Sequence, residues 1–219
     1  MQTHEQELPY FDTLDRAGHD GRILHRDDIY CSGPPSSIVC EPILDFAIRH
    51  VGDTFLDVGC GIGPYLERLT ALGRRGVGVE LSSDQVETAR ALGRDVRMMS
   101  ALDLDFADRS FDSVVMVEVL EHLPDPERAL AEAARVGRAN LVMTVPDISC
   151  VPLMSSRGVV PWHLLESTHV NFFTPESLRR VLLRHFDSVE VTQLVPIMEI
   201  DGVPAYTHIA AVAWIGDRA

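Results

Sequence analysis

The sequence predicts an α/β fold in which a doubly wound, mostly parallel sheet ends in an antiparallel strand. Three observations support this class. Short apolar runs alternate with segments of helical period through the middle of the chain, and a glycine-rich turn follows the first run. Two strand-like runs with no helix between them come last. Alternating strands and helices favour a parallel sheet covered on both faces, and adjacent strands favour a hairpin.

One domain accounts for most of the 219 residues. Residues 1–36 are polar and contain Gly33-Pro34-Pro35, so we expect an N-terminal arm or flap there and a domain over residues 37–219. Helical period and capping residues predict helices at Ser37–His50, Pro64–Leu72, Ser83–Leu92 and Asp125–Val136, and one capped by Thr174. Apolar runs predict strands at Thr54–Val58, Gly76–Glu80, Ser113–Val117, Asn140–Val145, Ser188–Val195 and Tyr206–Ile215.

Composition limits the classes of function. The 19 Lys and Arg residues against 33 Asp and Glu residues give a formal net charge of -14, which disfavours a nucleic-acid partner because phosphates need a basic face. No apolar run approaches the roughly 20 residues of a membrane span, and the first residues resemble no signal peptide. The four cysteines lack CxxC spacing. We therefore expect a cytoplasmic protein with reduced thiols, and a homodimer stays open.

The glycine-rich turn is the most informative segment of the chain. The strand Phe55-Leu56-Asp57-Val58 runs into Gly59-Cys60-Gly61-Ile62-Gly63, ahead of a helix. Glycine lets a backbone approach a ligand closely, and a helix N-terminus offers free N–H groups to negative charge. A dinucleotide fingerprint needs a further glycine where Pro64 stands. This residue disfavours the nicotinamide-dependent oxidoreductases that share a doubly wound sheet.

Asp57, Gly59 and Gly61 resemble motif I of the class I S-adenosylmethionine-dependent methyltransferases. Two further segments match in order, since the next strand ends in Glu80 about twenty residues on and Ser100-Ala101-Leu102 precede the fourth strand. The resemblance covers most of the domain and implies a seven-stranded, Rossmann-like fold. It also implies that S-adenosyl-L-methionine is the cofactor and that its ligands are Asp57, Gly59, Cys60, Gly61, Glu80, Leu81, Ser100, Ala101, Leu102 and Glu118, with Glu80 on the ribose and Leu81 near the adenine.

An ionisable cluster follows the fourth strand. If a helical turn begins at Glu118, then Glu121 and His122 lie three and four residues on and share a face with it. His169 comes in a loop after the fifth strand, at the same carboxyl edge, where open α/β sheets bind ligands. Two carboxylates and two imidazoles are thus expected to converge. A plainer interpretation is that acidic residues stabilise a helix N-terminus through its dipole.

The quartet Glu118, Glu121, His122 and His169 resembles the divalent-metal site of the methyltransferases that modify the terminal 2′-hydroxyl of small RNAs. The resemblance implies a cation such as Mg or Mn, whereas the acidity of the chain argues against RNA as the substrate. A divalent cation lowers the pKa of a neighbouring oxygen, and a histidine can accept the proton. We therefore take Glu121, His122 and His169 as candidate catalytic residues, with a metal-free site that uses a histidine base as the alternative.

These features predict an enzyme, a methyltransferase acting on a hydroxyl of a small polar acceptor, for which a sugar, an oligosaccharide or another glycan precursor is the first hypothesis. Two alternatives stay open: a metal-independent methyltransferase of oxygen, carbon or nitrogen acceptors, and a non-catalytic cofactor-binding protein. Around the site, Tyr30 and Ser36 are candidates for a closing flap. His163 and Glu166 could hold the acceptor or support His169, and Phe173 is expected in the core.

Overall fold

The computed structural model describes residues 39–156, 158, 164, 166 and 168–216. The predicted arm over residues 1–36, with Tyr30 and Ser36, and the candidate His163 lie outside the described residues. The strands are β1 Thr54–Val58, β2 Arg75–Glu80, β3 Val96–Met98, β4 Phe111–Val117, β5 Gly137–Pro146, β6 Ser188–Ile200 and β7 Val203–Trp214. The helices are α1 Glu41–His50, α2 Pro64–Ala71, α3 Ser83–Ala91, α4 Pro126–Val136, α5 Val151–Ser156 and α6 Pro175–Leu182.

The seven strands form one sheet in the order β3-β2-β1-β4-β5-β7-β6. Neighbouring pairs from β3 to β5 are parallel. β7 runs antiparallel to both β5 and β6, so it alone is reversed relative to the rest of the sheet. The predicted fold class is confirmed, including the antiparallel last strand. The carboxyl ends of β1, β2, β4 and β5 consequently meet at one edge.

Three differences from the expected elements have local causes. β3 was not predicted as a strand; it has only three residues, of which Arg97 and Met98 are exposed, so it carries no apolar run. α5 was not predicted either, and its six residues cover fewer than two turns. α1 begins at Glu41 rather than Ser37, because Pro42 occupies the first turn and suits the start of a helix.

The core lies in two layers, one on each face of the sheet. Consecutive strand residues alternate between them, so that Leu56 packs in the layer that contains α4 and α6, while Phe55 packs in the layer that contains α1, α2 and α3. Val114 and Val115 of β4 divide in the same way. This period of two is what a strand buried on both faces requires. No described helix is long and apolar enough to cross a membrane.

The entry to α6 confirms the predicted cap. The Oγ1 atom of Thr174 accepts the backbone N–H of Ser177 at 3.2 Å, and the Oγ atom of Ser177 accepts the backbone N–H of Thr174 at 2.8 Å. The preceding residue, Phe173, is 6% exposed, as expected for the core, and its carbonyl oxygen accepts the N–H of Ile148 at 3.1 Å. These contacts fix the chain just after His169 against the end of β5.

A methyl group at Gly76 is expected to destabilise the fold. A Cβ atom built at this position in β2 would lie 2.2 Å from Cζ of Phe55 and 2.7 Å from Cδ1 of Leu66. Gly76→Ala should therefore lower the free energy of unfolding by about 1–3 kcal/mol in urea denaturation, as overpacking of a core does. Phe55→Leu removes the crowding ring, so the double variant should lose less than the sum of the two single losses. Strictly additive losses would contradict the steric explanation.

Candidate active site

The turn after β1 is shaped by glycines with positive φ. Gly59, Gly61 and Gly63 have φ values of 66°, 58° and 81°, which residues with a Cβ atom rarely adopt. A Cβ atom at Gly59 would also lie 2.6 Å from Cγ2 of Val119. The turn therefore packs closely against the chain after β4, immediately ahead of α2.

Glu80, at the end of β2, reaches back to this turn. Its Oε2 atom accepts the N–H of Gly61 at 2.9 Å, and its Oε1 atom accepts the N–H groups of Leu81 at 2.7 Å and Ser82 at 3.0 Å. Three backbone donors thus orient one carboxylate at the carboxyl edge of the sheet.

Asp57 and Cys60 lie behind Glu80 in the interior. Asp57 is 3% exposed, and burial, helped by the charge of Glu80, raises the pKa of its carboxyl to about 7. Burial likewise raises the pKa of the Cys60 thiol, which therefore stays protonated and packs as an apolar group.

The segment after β3 closes the other side of the same edge. Ser100 is 2% exposed and its Oγ atom accepts the N–H of Leu102 at 3.1 Å. Ala101 and Leu102 are both buried in the layer that contains Val79 of β2. All segments of the predicted cofactor set thus follow strands that end at one edge of the sheet.

The predicted helical turn beginning at Glu118 is wrong. Glu118 has a φ of 55°, so it cannot start a right-handed helix, and a short 3₁₀ turn over Leu120–His122 follows instead. The Glu118 N–H still donates to the Thr144 carbonyl oxygen at 3.1 Å, which extends the pairing of β4 with β5. Its Oε2 atom lies 3.5 Å from Nε2 of His208 on β7. Glu118 is consequently not in the compact group formed by the other three residues of the predicted quartet.

Main-chain hydrogen bonds dock the 3₁₀ turn against the loop that carries His169. The Glu121 carbonyl oxygen accepts the N–H groups of Val170 at 2.9 Å and Asn171 at 3.0 Å. The Nδ2 atom of Asn171 donates to the carbonyl oxygens of Leu120 at 3.1 Å and Leu123 at 2.7 Å. A single 3₁₀ turn satisfies few of its own carbonyl groups, so N–H donors from this loop complete their hydrogen bonding.

Glu121, His122 and His169 form a compact group at this junction. One ligand atom from each residue lies within 4.8 Å of the others. The two imidazole ring centroids are 4.8 Å apart with an interplanar angle of 66°, and Nε2 of His122 lies 3.8 Å from Oε1 of Glu121. One carboxylate and two imidazoles in this proximity are a donor set suited to a divalent transition metal.

The pKa values of Glu121 and His122 are shifted toward the neutral form of each side chain. Glu121 is 1% exposed, and within the described part of the chain neither of its carboxylate oxygens has a hydrogen-bond partner. Burial, helped by the charge of Glu118, raises the pKa of Glu121 well above its ordinary value. Burial, helped by the charge of His169, lowers the pKa of His122 to about 4. Without a cation the group is therefore held as a neutral acid beside a neutral imidazole.

Two residues near the site were missed by sequence reasoning. Thr168 accompanies His122, with its Oγ1 atom 3.0 Å from Nδ1 of that ring, and it also contacts Glu166. Glu166 therefore supports His122 through Thr168. His208 is 15% exposed beside Glu118, and burial lowers its pKa to about 4. Its place depends on the register that pairs it with Pro146, which no sequence motif marks.

Asp57 predicts a pH dependence of stability in the cofactor-free protein. Because its folded pKa is raised, the folded state binds more protons than the unfolded state, so stability is highest below pH 3.8 and is lost as pH rises to about 7. Relative to Asp57→Asn, which does not titrate, the wild-type free energy of unfolding should fall by roughly 4 kcal/mol over this range. Parallel denaturation series at several pH values would measure it. A constant difference between the two proteins would contradict the raised pKa.

Comparisons with known proteins agree with this geometry. Residues 56–142 match a family model described as a methyltransferase domain. Over 136 residues the chain is 32% identical to the O-methyltransferase cnsE of Penicillium expansum, covering 54% of this chain and 49% of that protein. Over 112 residues it is 37% identical to 27-O-demethylrifamycin SV methyltransferase of Amycolatopsis mediterranei, covering 47% and 41%. The chain spans about half the length of the curated relatives it matches.

A comparison with solved structures covers nearly the whole chain. The fold matches a crystal structure from Thermotoga maritima of an S-adenosylmethionine-dependent methyltransferase, described as a possible histamine N-methyltransferase, with a TM-score of 0.68. The match covers 94% of this chain and 98% of the other at 19% identity, a likeness of fold. Strand order, glycine turn and Glu80 agree with the matched domain model, so over residues 56–142 the chain is similar to methyltransferases in sequence, and its fold is that of S-adenosylmethionine-dependent methyltransferases.

Proposed function

We propose that this protein transfers a methyl group from S-adenosyl-L-methionine to a hydroxyl of a small polar acceptor, and that Glu121, His122 and His169 bind a divalent cation that assists the transfer. The observation that carries the proposal is the Glu121 carboxylate, which is 1% exposed and, among the described residues, has no hydrogen-bond partner at either oxygen. An unpaired buried carboxylate is costly. A cation shared with two imidazoles removes that cost, which favours a metal site over a purely structural group.

The choice of oxygen as the acceptor atom rests on the relatives. Several are named as O-methyltransferases, among them proteins of ubiquinone biosynthesis, and one is named for a demethylated rifamycin. We favour an aliphatic hydroxyl, such as that of a sugar or a glycan precursor, because it is a poor nucleophile at neutral pH and gains most from metal assistance.

On the cofactor side, each predicted residue has a distinct task. Glu80, oriented by three backbone N–H groups, is proposed to bind the ribose hydroxyls. Gly59 and Gly61 let the backbone approach the ligand, while the buried segment Ser100-Ala101-Leu102 is proposed to form the adenine side. The cofactor brings a methyl group already activated as a sulfonium. The chain therefore needs to orient the acceptor oxygen and to remove its proton.

On the acceptor side, two roles are considered for His122 and His169: binding the cation, or accepting the proton of the acceptor hydroxyl. A bound divalent cation supplies Lewis acidity that lowers the pKa of a nearby hydroxyl. Without it, the lowered pKa of about 4 makes His122 a weak base, far from the pKa near neutrality that suits a general base. The burial of the ring therefore disfavours one form of the metal-independent alternative, in which Nε2 of His122 takes the proton unaided, and leaves the form in which His169 is the base.

Cation binding is expected to depend on the three grouped residues. Mn²⁺ or Mg²⁺ titrated calorimetrically into chelator-treated protein saturated with S-adenosylhomocysteine should occupy one site. Glu121→Gln and His169→Ala should each weaken it at least 10-fold, because each removes one ligand atom. Glu176→Gln, an exposed acid in the first turn of α6, is the matched control and should bind as the wild type does. Wild-type protein that binds S-adenosylhomocysteine but no cation would refute the metal site.

Cofactor affinity is expected to depend on Glu80. Glu80→Gln removes the charge that would accept the ribose hydroxyls, and a hydrogen bond to a charged group contributes about 1.5–3 kcal/mol, so the Kd for S-adenosylhomocysteine should rise by roughly 10- to 100-fold. Glu87→Gln, an exposed acid on α3, provides the control. Thermal unfolding without ligand separates lost affinity from lost folding. An unchanged Kd in a folded Glu80→Gln protein would remove Glu80 from the proposed cofactor site.

A further inference from the structure

The two ring nitrogens of His122 have different surroundings. Nδ1 lies 3.0 Å from Oγ1 and 3.3 Å from the carbonyl oxygen of Thr168. Nε2 lies on the other side of the ring, 3.8 Å from Oε1 of Glu121. The group formed by Glu121, His122 and His169 can therefore use only Nε2 of this ring, since Nδ1 is already engaged.

Both atoms that face Nδ1 are hydrogen-bond acceptors. A backbone carbonyl oxygen has no proton to give. The Thr168 hydroxyl has one proton, and it donates that proton to Oε1 of Glu166 at 3.0 Å, where the Thr168 backbone N–H also donates at 3.2 Å. Because its single proton is given to Glu166, the hydroxyl has nothing left to donate toward His122. The proton between His122 and Thr168 must then belong to Nδ1.

We propose that Thr168 and Glu166 are positioning residues that hold His122 as the Nδ1–H tautomer, so that the Nε2 lone pair points toward Glu121 and His169. The tautomer assignment follows from the hydrogen bonds alone. Its chemical consequence rests on the proposed function, because Nε2 then becomes the atom that binds the cation or, in the metal-free alternative, accepts the proton of the acceptor. In either role the lone pair must be available before the acceptor arrives.

The hydroxyl between Glu166 and the ring has a physical purpose. A carboxylate in direct contact with an imidazole favours its protonated form, which has no lone pair for a metal. With Thr168 in between, the carboxylate fixes the direction of the hydroxyl proton and hence the tautomer, while the ring stays neutral. Outer partners of this kind orient metal-binding histidines in many proteins.

The test is the tautomer of His122 in metal-free, chelator-treated protein labelled with ¹⁵N-histidine. Long-range ¹H–¹⁵N correlation spectra distinguish a ring nitrogen that carries a proton from one that does not, and the His122 signals are identified by their loss in His122→Asn. In the wild type we expect a protonated Nδ1 and an unprotonated Nε2. Thr168→Val, which lacks the hydroxyl, should raise the fraction of the Nε2–H form. Thr168→Ser, which keeps the hydroxyl, should restore the wild-type spectrum.

Mn²⁺ affinity provides the second readout. Thr168→Val should weaken binding by about 10- to 100-fold, as removal of such an outer partner does, and Thr168→Ser should not. A wild-type ring that is Nε2–H or doubly protonated, or a folded Thr168→Val protein with an unchanged spectrum, would overturn the inference. If Thr168→Val does not fold, the wild-type and Thr168→Ser spectra still decide. An Nδ1–H ring in a protein that binds no Mn²⁺ would instead refute the metal site and leave the tautomer assignment standing.

Discussion

The docking of the 3₁₀ turn onto the loop after α5 is the constraint on which the candidate site depends. The Glu121 carbonyl oxygen accepts two backbone N–H groups, and the Asn171 side chain satisfies two further carbonyl groups of the same turn. These bonds join segments about 50 residues apart in the chain. Because the main chain is fixed on both sides, the Glu121 side chain is held away from water. The burial of that carboxylate, and with it the electrostatics of the group, follows from backbone hydrogen bonds.

Buried acids and neutral imidazoles give this edge of the sheet a common electrostatic character. Burial raises the pKa of Glu118 to about 8 and that of Glu121 above its ordinary value, while burial lowers the pKa of His122 and His208 to about 4. In the absence of ligands the neutral forms of these groups are favoured. A positively charged ligand, whether a divalent cation or a sulfonium, would favour the ionised form of the carboxylates. Ligand binding at this edge is therefore expected to release protons.

Sequence reasoning predicted the sheet, its reversed last strand and the glycine turn at the end of β1, because alternating periods and a glycine-rich segment are local patterns. It failed where direction or register decided the outcome. Glu118 was expected on a helical face, but its positive φ turns the carboxylate toward β7. His208 faces it only through the pairing of β5 with β7. Thr168 carried no motif, since its role depends on a hydrogen bond between residues 46 positions apart. Such relations are set by packing over long separations.

The part of the chain that matches the methyltransferase domain model and the part beyond it carry different proposed roles. The family model covers residues 56–142, which include the glycine turn, Glu80, Glu121 and His122. His169, Thr168 and His208 lie beyond it, on the loop after α5 and on the closing strand. The proposed cofactor side is thus contained in the part of the chain that matches the methyltransferase domain model. The proposed acceptor side straddles its boundary and depends on the docking contacts of Val170 and Asn171. If the proposed function holds, a homologue that alters only this loop would keep the proposed cofactor side and lose the proposed acceptor side, so the loop that carries His169 is where acceptor choice would diverge.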